Sequence, residues 1–141
     1  MRRHIAQWSG LLILACCVFL HANAAQPGRT IIPELQERFG LSEGQVRGAL
    51  GALLVFAREQ LPKPQFDDLA SRIPNADRIM QEVKLRGIVT RPLDDVEDYE
   101  DSLAQLGMGQ PLASQFAPAV VEYLGAAGFV QERDILMQIL D

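Results

Sequence analysis

Histidine, cysteine and tryptophan are scarce in this sequence, and their positions matter more than their number. The 141-residue chain has two His, two Cys and one Trp. All five fall within the first 24 residues, as His4, Trp8, Cys16, Cys17 and His21. From residue 25 onward there is no imidazole base, no thiol nucleophile and no conventional zinc ligand set. Disulfide stabilisation is excluded over the same stretch. No segment alternates apolar and polar residues for long enough to suggest a sheet; residues 87–90 are at most a fragment. The groups left for chemistry are carboxylates, Lys63, Lys84, Tyr99, Tyr123 and a few serines. No spacing among them marks a Ser–Lys pair or a two-carboxylate site. No catalytic, cofactor-binding or metal-binding residue is therefore assigned, and the chain is not expected to be an enzyme.

The start of the chain reads as a processing segment. Arg2 and Arg3 supply a positive region, residues 11–20 (LLILACCVFL) form an unbroken apolar run, and Ala22-Asn23-Ala24 is a small-x-small cleavage site. Cleavage between Ala24 and Ala25 is expected, with export to the periplasm of a Gram-negative cell. The run is shorter than the roughly 20 residues of a bilayer-spanning helix, so no membrane span is expected after cleavage. A lipoprotein is the lesser alternative: residues 13–16 loosely resemble a lipobox, but Val18, Phe19 and Leu20 carry the apolar run past Cys16.

Cleavage would leave 117 residues, about one domain. It also removes Arg2 and Arg3, leaving 11 basic against 18 acidic residues and a formal charge of −7. Phosphate binding needs clustered Lys and Arg, so nucleic acid is not an expected partner, and neither is an anionic lipid surface.

What is present is helical periodicity. Residues 25–34 read as a flexible leader, although Pro33 suits a first helical turn, with Leu35 and Phe39 on one face and Gly40 as a stop. Ser42-Glu43-Gly44-Gln45 is a capping box, followed by Val46, Leu50, Leu53, Ala57 and Leu61 at helical steps until Pro62 and Pro64. Further helices are predicted over residues 65–73, over 75–86 with Asn75 as cap and Gly87 as stop, from Pro111 with a kink or restart at Pro118, and over 130–140. Residues 91–101 (RPLDDVEDYED), with six carboxylates between Asp94 and Asp101, read as an acidic connector, helical only towards Leu103 and Leu106. The fold class is all-α: one bundle of six or seven short helices over residues 35–140, with two sub-bundles joined by the connector as a variant.

Three motifs need weighing. Gly40-Leu41-Ser42-Glu43-Gly44 matches the G-x-S-x-G nucleophile elbow, but a helix precedes it and no histidine follows, so Ser42 is read as a helix cap. The acidic stretch fails as an EF-hand: counted from Asp95, position 6 is Glu100 and position 12 is Leu106. A solvated connector is the better reading, with weak cation binding left open. Gly44, Gly48 and Ala52 recur every four residues with Gly51 beside them, a spacing that lets another helix approach closely. Packing inside the bundle and a homodimer or partner groove are both open readings of that face.

The longer pattern Leu41-Ser42-Glu43-Gly44-Gln45-Val46-x-Gly48-Ala49-Leu50-Gly51-Ala52-Leu53, then Phe66-x-x-Leu69-Ala70-x-x-Ile73-Pro74-Asn75-Ala76-Asp77, resembles the bacterial VcgC/VcgE family of uncharacterised proteins. Phe116-Ala117-Pro118-Ala119-Val120-Val121-Glu122-Tyr123-Leu124 is similar to that family's C-terminal block. The resemblance spans most of residues 35–140 and implies a small helical exported protein without supplying an activity. Residues 84–101 depart from it, since the resemblance implies a Gly/Ala-rich middle where this chain is acidic.

The leading expectation is a periplasmic protein that binds another protein, or itself, through the face of Gly44, Gly48, Gly51 and Ala52. A bulky residue at Gly48 is then expected to abolish association and leave a folded monomer. The alternative is a carrier of a small apolar ligand lined by Phe56, Phe66, Phe116, Tyr123 and Phe129, aromatics that also suit a plain core. An enzyme of unrecognised type is third.

Overall fold

The computed structural model describes residues 30–141. The signal segment, the Ala24–Ala25 cleavage site and the Cys16 lipidation alternative lie outside the described residues. Among the described residues there are seven α-helices and no strand: α1 (Ile31–Phe39), α2 (Glu43–Gln60), α3 (Lys63–Ser71), α4 (Ala76–Leu85), α5 (Val96–Leu103), α6 (Gln110–Ala126) and α7 (Val130–Leu140). A 3-10 turn, Ala104–Leu106, follows α5 directly.

α2 organises the rest. Its start is fixed by the expected capping box: the Gln45 N–H donates to Ser42 Oγ at 3.2 Å and the Ser42 N–H to Gln45 Oε1 at 3.0 Å. Residues 48–57 are then buried without interruption. A helix apolar on every side has to be surrounded, and α2 packs against α1, α3, α4, α5 and α7. Leu50, Leu54, Val55 and Phe56 are at most 1% exposed; full burial of such side chains stabilises by about 1.5–3 kcal/mol each. α6 and α7 close the bundle as a pair, with α6 also touching α1 and α5.

Several boundaries differ from the sequence reading. The leader does not reach residue 34: α1 starts at Ile31, because Ile31 and Leu35 are buried one turn apart against the core. Asn75 precedes α4 as expected, but in the left-handed conformation (φ 58°) and without a side-chain cap bond. Pro118 does not restart the helix; α6 runs through it, with the proline on the exposed side.

The largest correction concerns the acidic connector. α5 starts at Val96, where the Asp95 carboxylate accepts the Asp98 N–H at 2.8 Å. Tyr99 and Leu103, four residues apart, are buried on one side of it, and Tyr99 lies 6.1 Å from the Phe56 ring. The stretch is therefore a packed helix of the single bundle, bound to α2 and α6, and does not join two sub-bundles.

Candidate interaction site

The glycine face is in contact, but inside the molecule. A methyl group built on Gly51 would fall 2.5 Å from Val83 Cγ1 and 2.7 Å from the Ile79 carbonyl oxygen, both on α4. One on Gly48 would fall 2.7 Å from Leu106 Cδ2 and 3.3 Å from Ile88 Cδ1. Ala52 is fully buried. Gly44, at the outer end, has only Ser42 Oγ near it, at 3.9 Å. Close helix approach is what the small residues allow, and α4 together with the 3-10 turn uses it up. No free partner surface remains at Gly48, Gly51 and Ala52, and a bulky residue at Gly48 would collide with the chain's own Leu106.

The five aromatics separate in the same way. Phe56 stacks on Tyr99, Phe116 meets Phe39 at 6.0 Å, and the Arg72 guanidinium lies 4.5 Å over Phe129. Phe66 is buried and Tyr123 half-buried elsewhere. None of the five lines the cleft beside α5.

That cleft, of about 310 Å³, lies in a region the sequence reading left without a role. Its walls follow from local chemistry. The chain leaves α4 through Gly87 (φ 69°), a conformation glycine adopts without strain. Residues 88–95 then run back to the end of α2, where the Leu93 N–H donates to Glu59 Oε2 at 2.7 Å. Gln60 Nε2 donates to the Leu93 and Asp94 carbonyls, each at 3.1 Å. After the Asp95 cap the chain turns into α5, and Asp98, Asp101, Ser102 and Gln105 face the incoming strap across the cleft. Ile88, Val89 and Leu93 are its buried apolar lining; Thr90, Arg91, Asp101 and Gln105 are its exposed rim.

Its polar groups have distinct uses. Asp98 accepts Arg91 Nη2 at 2.5 Å and the Asp94 N–H at 3.2 Å, which fixes the corner. Ser102 Oγ donates to the Tyr99 carbonyl at 2.6 Å, so its hydroxyl proton is committed. Asp101 has no ion-pair partner among the described residues. Two residues before the cleft begins, Leu85 is 88% exposed, the most exposed large apolar side chain among the described residues. It stands between Lys84, which also has no ion-pair partner there, and Arg86, whose Nη1 donates to the Gly44 carbonyl at 3.1 Å. The signal for this was present in the sequence: Ile79, Met80 and Val83 define the inner face of α4, and Leu85 falls on the opposite side.

Among the described residues three ion pairs tie helices together: Arg38–Glu122, Arg47–Glu82 and Arg72–Glu132. Arg47 holds Glu82 through two hydrogen bonds of 3.1 and 2.7 Å, joining α2 to α4. That pairing lowers the Glu82 carboxyl below its ordinary value and raises the Arg47 guanidinium. Arg72 Nε donates to Glu132 Oε1 at 2.7 Å, joining the end of α3 to α7 and lowering Glu132. Burial raises the Tyr99 hydroxyl far above its ordinary value. Among the described residues no three His, Cys, Asp or Glu side chains are placed to share a metal ion. No described helix is long and apolar enough to cross a membrane.

The profile of the family described as protein of unknown function VcgC/VcgE (DUF2780) matches residues 20–141. The chain belongs to that family. The VcgC/VcgE match covers the whole described bundle, including the acidic α5 that the sequence comparison of blocks had set apart. No curated protein and no solved structure matches the chain.

Proposed function

We propose that this VcgC/VcgE protein is exported and acts by binding a protein surface, not by catalysis, and that it binds through Leu85 and the cleft whose lining begins two residues after it. The observation that carries the reading is Leu85: 88% exposed, flanked by Lys84 and Arg86, and two residues before a cleft of mixed polar and apolar lining with Arg91 and Asp101 at its rim. Leaving a leucine in water forgoes about 1.5–3 kcal/mol of burial, which a partner surface would recover. The non-catalytic part of the proposal rests on the lack of His and Cys after residue 24 and on ionisable groups engaged in helix-to-helix bridges.

The test is site-specific photo-crosslinking in cells that express the full chain. A photoreactive side chain at position 85 is expected to give a discrete higher-mass adduct. The same side chain at Gln115, exposed on α6, is expected to give none. No adduct at position 85, or equal adducts at both positions, would contradict the proposal.

A further inference from the structure

The α5 wall of the cleft offers hydrogen-bond acceptors in excess. Ser102 lines it and is 9% exposed, and its hydroxyl proton already goes to the Tyr99 carbonyl at 2.6 Å. What the Ser102 oxygen has left to offer is lone pairs. Asp101, beside it, is exposed and has no ion-pair partner among the described residues; a carboxylate only accepts. Gln105, further along the same wall, can turn its amide oxygen inward. Arg91 is the basic residue of the lining, and its guanidinium is engaged by Asp98. Arg91 and Asp98 cancel, so Asp101 leaves the cleft negative. No Lys, Arg or His follows Arg91 until Arg133, while Glu97 and Glu100 stand on the same helix, so the surrounding field attracts cations as well.

We propose that the cleft receives a lysine side chain of the partner protein: its ammonium meets the Asp101 carboxylate, the lone pairs of Ser102 Oγ and the Gln105 amide oxygen, and its alkyl stem lies over the apolar edge of Ile88 and Val89. The proposal rests on the preceding reading of this cleft as a protein-binding site and names the group that the partner inserts. Lysine suits both parts of the lining. Its ammonium only donates, and its stem packs along apolar surface while the charged head stays among polar groups. The size agrees: sites that enclose small molecules run from about 300 to 1,000 Å³, and this cleft, at about 310 Å³, has room for a side chain and not for a folded segment. An acidic side chain would be repelled by Asp101. A purely apolar one would strip water from Asp101 and return no donor.

Nα-acetyl-lysine methylamide, a lysine side chain on an uncharged backbone, is the probe. Titrated into the isotope-labelled full chain, as the cell processes it, it is expected to give saturable NMR shifts in the amides that line the cleft, within residues 88–91 and 98–105. The same probe acetylated at Nζ keeps the stem and loses the charge, and is expected to give none. Asp101→Asn, at an exposed position, is expected to weaken binding about tenfold, as loss of a charge-assisted hydrogen bond implies, with an unchanged helical circular-dichroism spectrum. Asp101→Glu is expected to keep most of the affinity. No saturable shift, equal shifts from the neutral probe, or binding indifferent to Asp101→Asn would overturn the proposal. The crosslink at position 85 separates it from the broader reading. An adduct in cells without lysine binding removes the lysine and leaves the protein-binding site; lysine binding without an adduct keeps the ammonium site and removes the protein that was to supply it.

Discussion

Gly51 and Gly48 look equivalent in the sequence, yet their neighbours differ. An added methyl at Gly51 meets the Ile79 backbone oxygen at 2.7 Å, which can move only if α4 moves. At Gly48 it meets the ends of the Leu106 side chain, which can rotate. Alanine gains about 1 kcal/mol over glycine inside a helix, while overpacking costs about 1–3 kcal/mol. Gly51→Ala is therefore expected to lower stability to urea, and Gly48→Ala to leave it close to wild type. Equal losses at the two positions would mean that α4 does not pack as closely as described. Tyr99 supports a second expectation. Its ring is 1% exposed and stacks on Phe56, but its hydroxyl has no hydrogen-bond partner. Tyr99→Phe keeps the stack and removes an unpartnered buried hydroxyl, so thermal melting is expected to show unchanged or higher stability, by up to about 1 kcal/mol. A clear loss would show that the hydroxyl is paired.

At the scale of elements, the bridges between helices set the response to acid. Glu82 between α2 and α4, and Glu132 between α3 and α7, both have lowered carboxyl values, caused first by their hydrogen bonds to Arg47 and Arg72. A carboxylate lowered on folding stabilises fully above its unfolded value, near 4.5, and loses that contribution as the pH falls through the folded value. Unfolding followed by circular dichroism is thus expected to change little for these two groups from neutral pH to about 5 and to become easier below it. Replacing both by glutamine should flatten that acid limb. An unaltered acid limb in the double variant would remove these bridges from the account.

Elements also show what was legible in the sequence. α2 was readable from Ser42, Gln45 and the spacing of Val46, Leu50 and Leu53, because a cap and an apolar periodicity agreed. α5 was not, because six carboxylates obscured two apolar residues four apart; Tyr99 and Leu103 define its buried side and Asp95 its cap. The small residues of α2 announced a close contact without naming the partner. Spacing states that a helix can approach, and only the fold shows that α4 and Leu106 are what approaches. The cleft was illegible for a related reason: its lining comes from a strap and a helix whose juxtaposition depends on Glu59 and Gln60, on neither segment. Leu85 alone was visible, as an apolar residue on the wrong side of its helix.

At the scale of the whole molecule, export and action at the surface of the bundle are the proposed properties. Export has its own check: the chain recovered from expressing cells is expected to have the intact mass of residues 25–141, and a mass that includes residues 1–24 or a lipid on Cys16 would contradict cleavage at Ala24–Ala25. The central claim concerns the cleft itself, and a photoreactive side chain at Gln105, on its exposed rim, tests it most directly. The account expects a discrete adduct in cells that is lost when Asp101→Lys reverses the charge beside it. Absence of any adduct, or an adduct that persists unchanged in the Asp101→Lys background, would contradict the assignment of this cleft as the binding site.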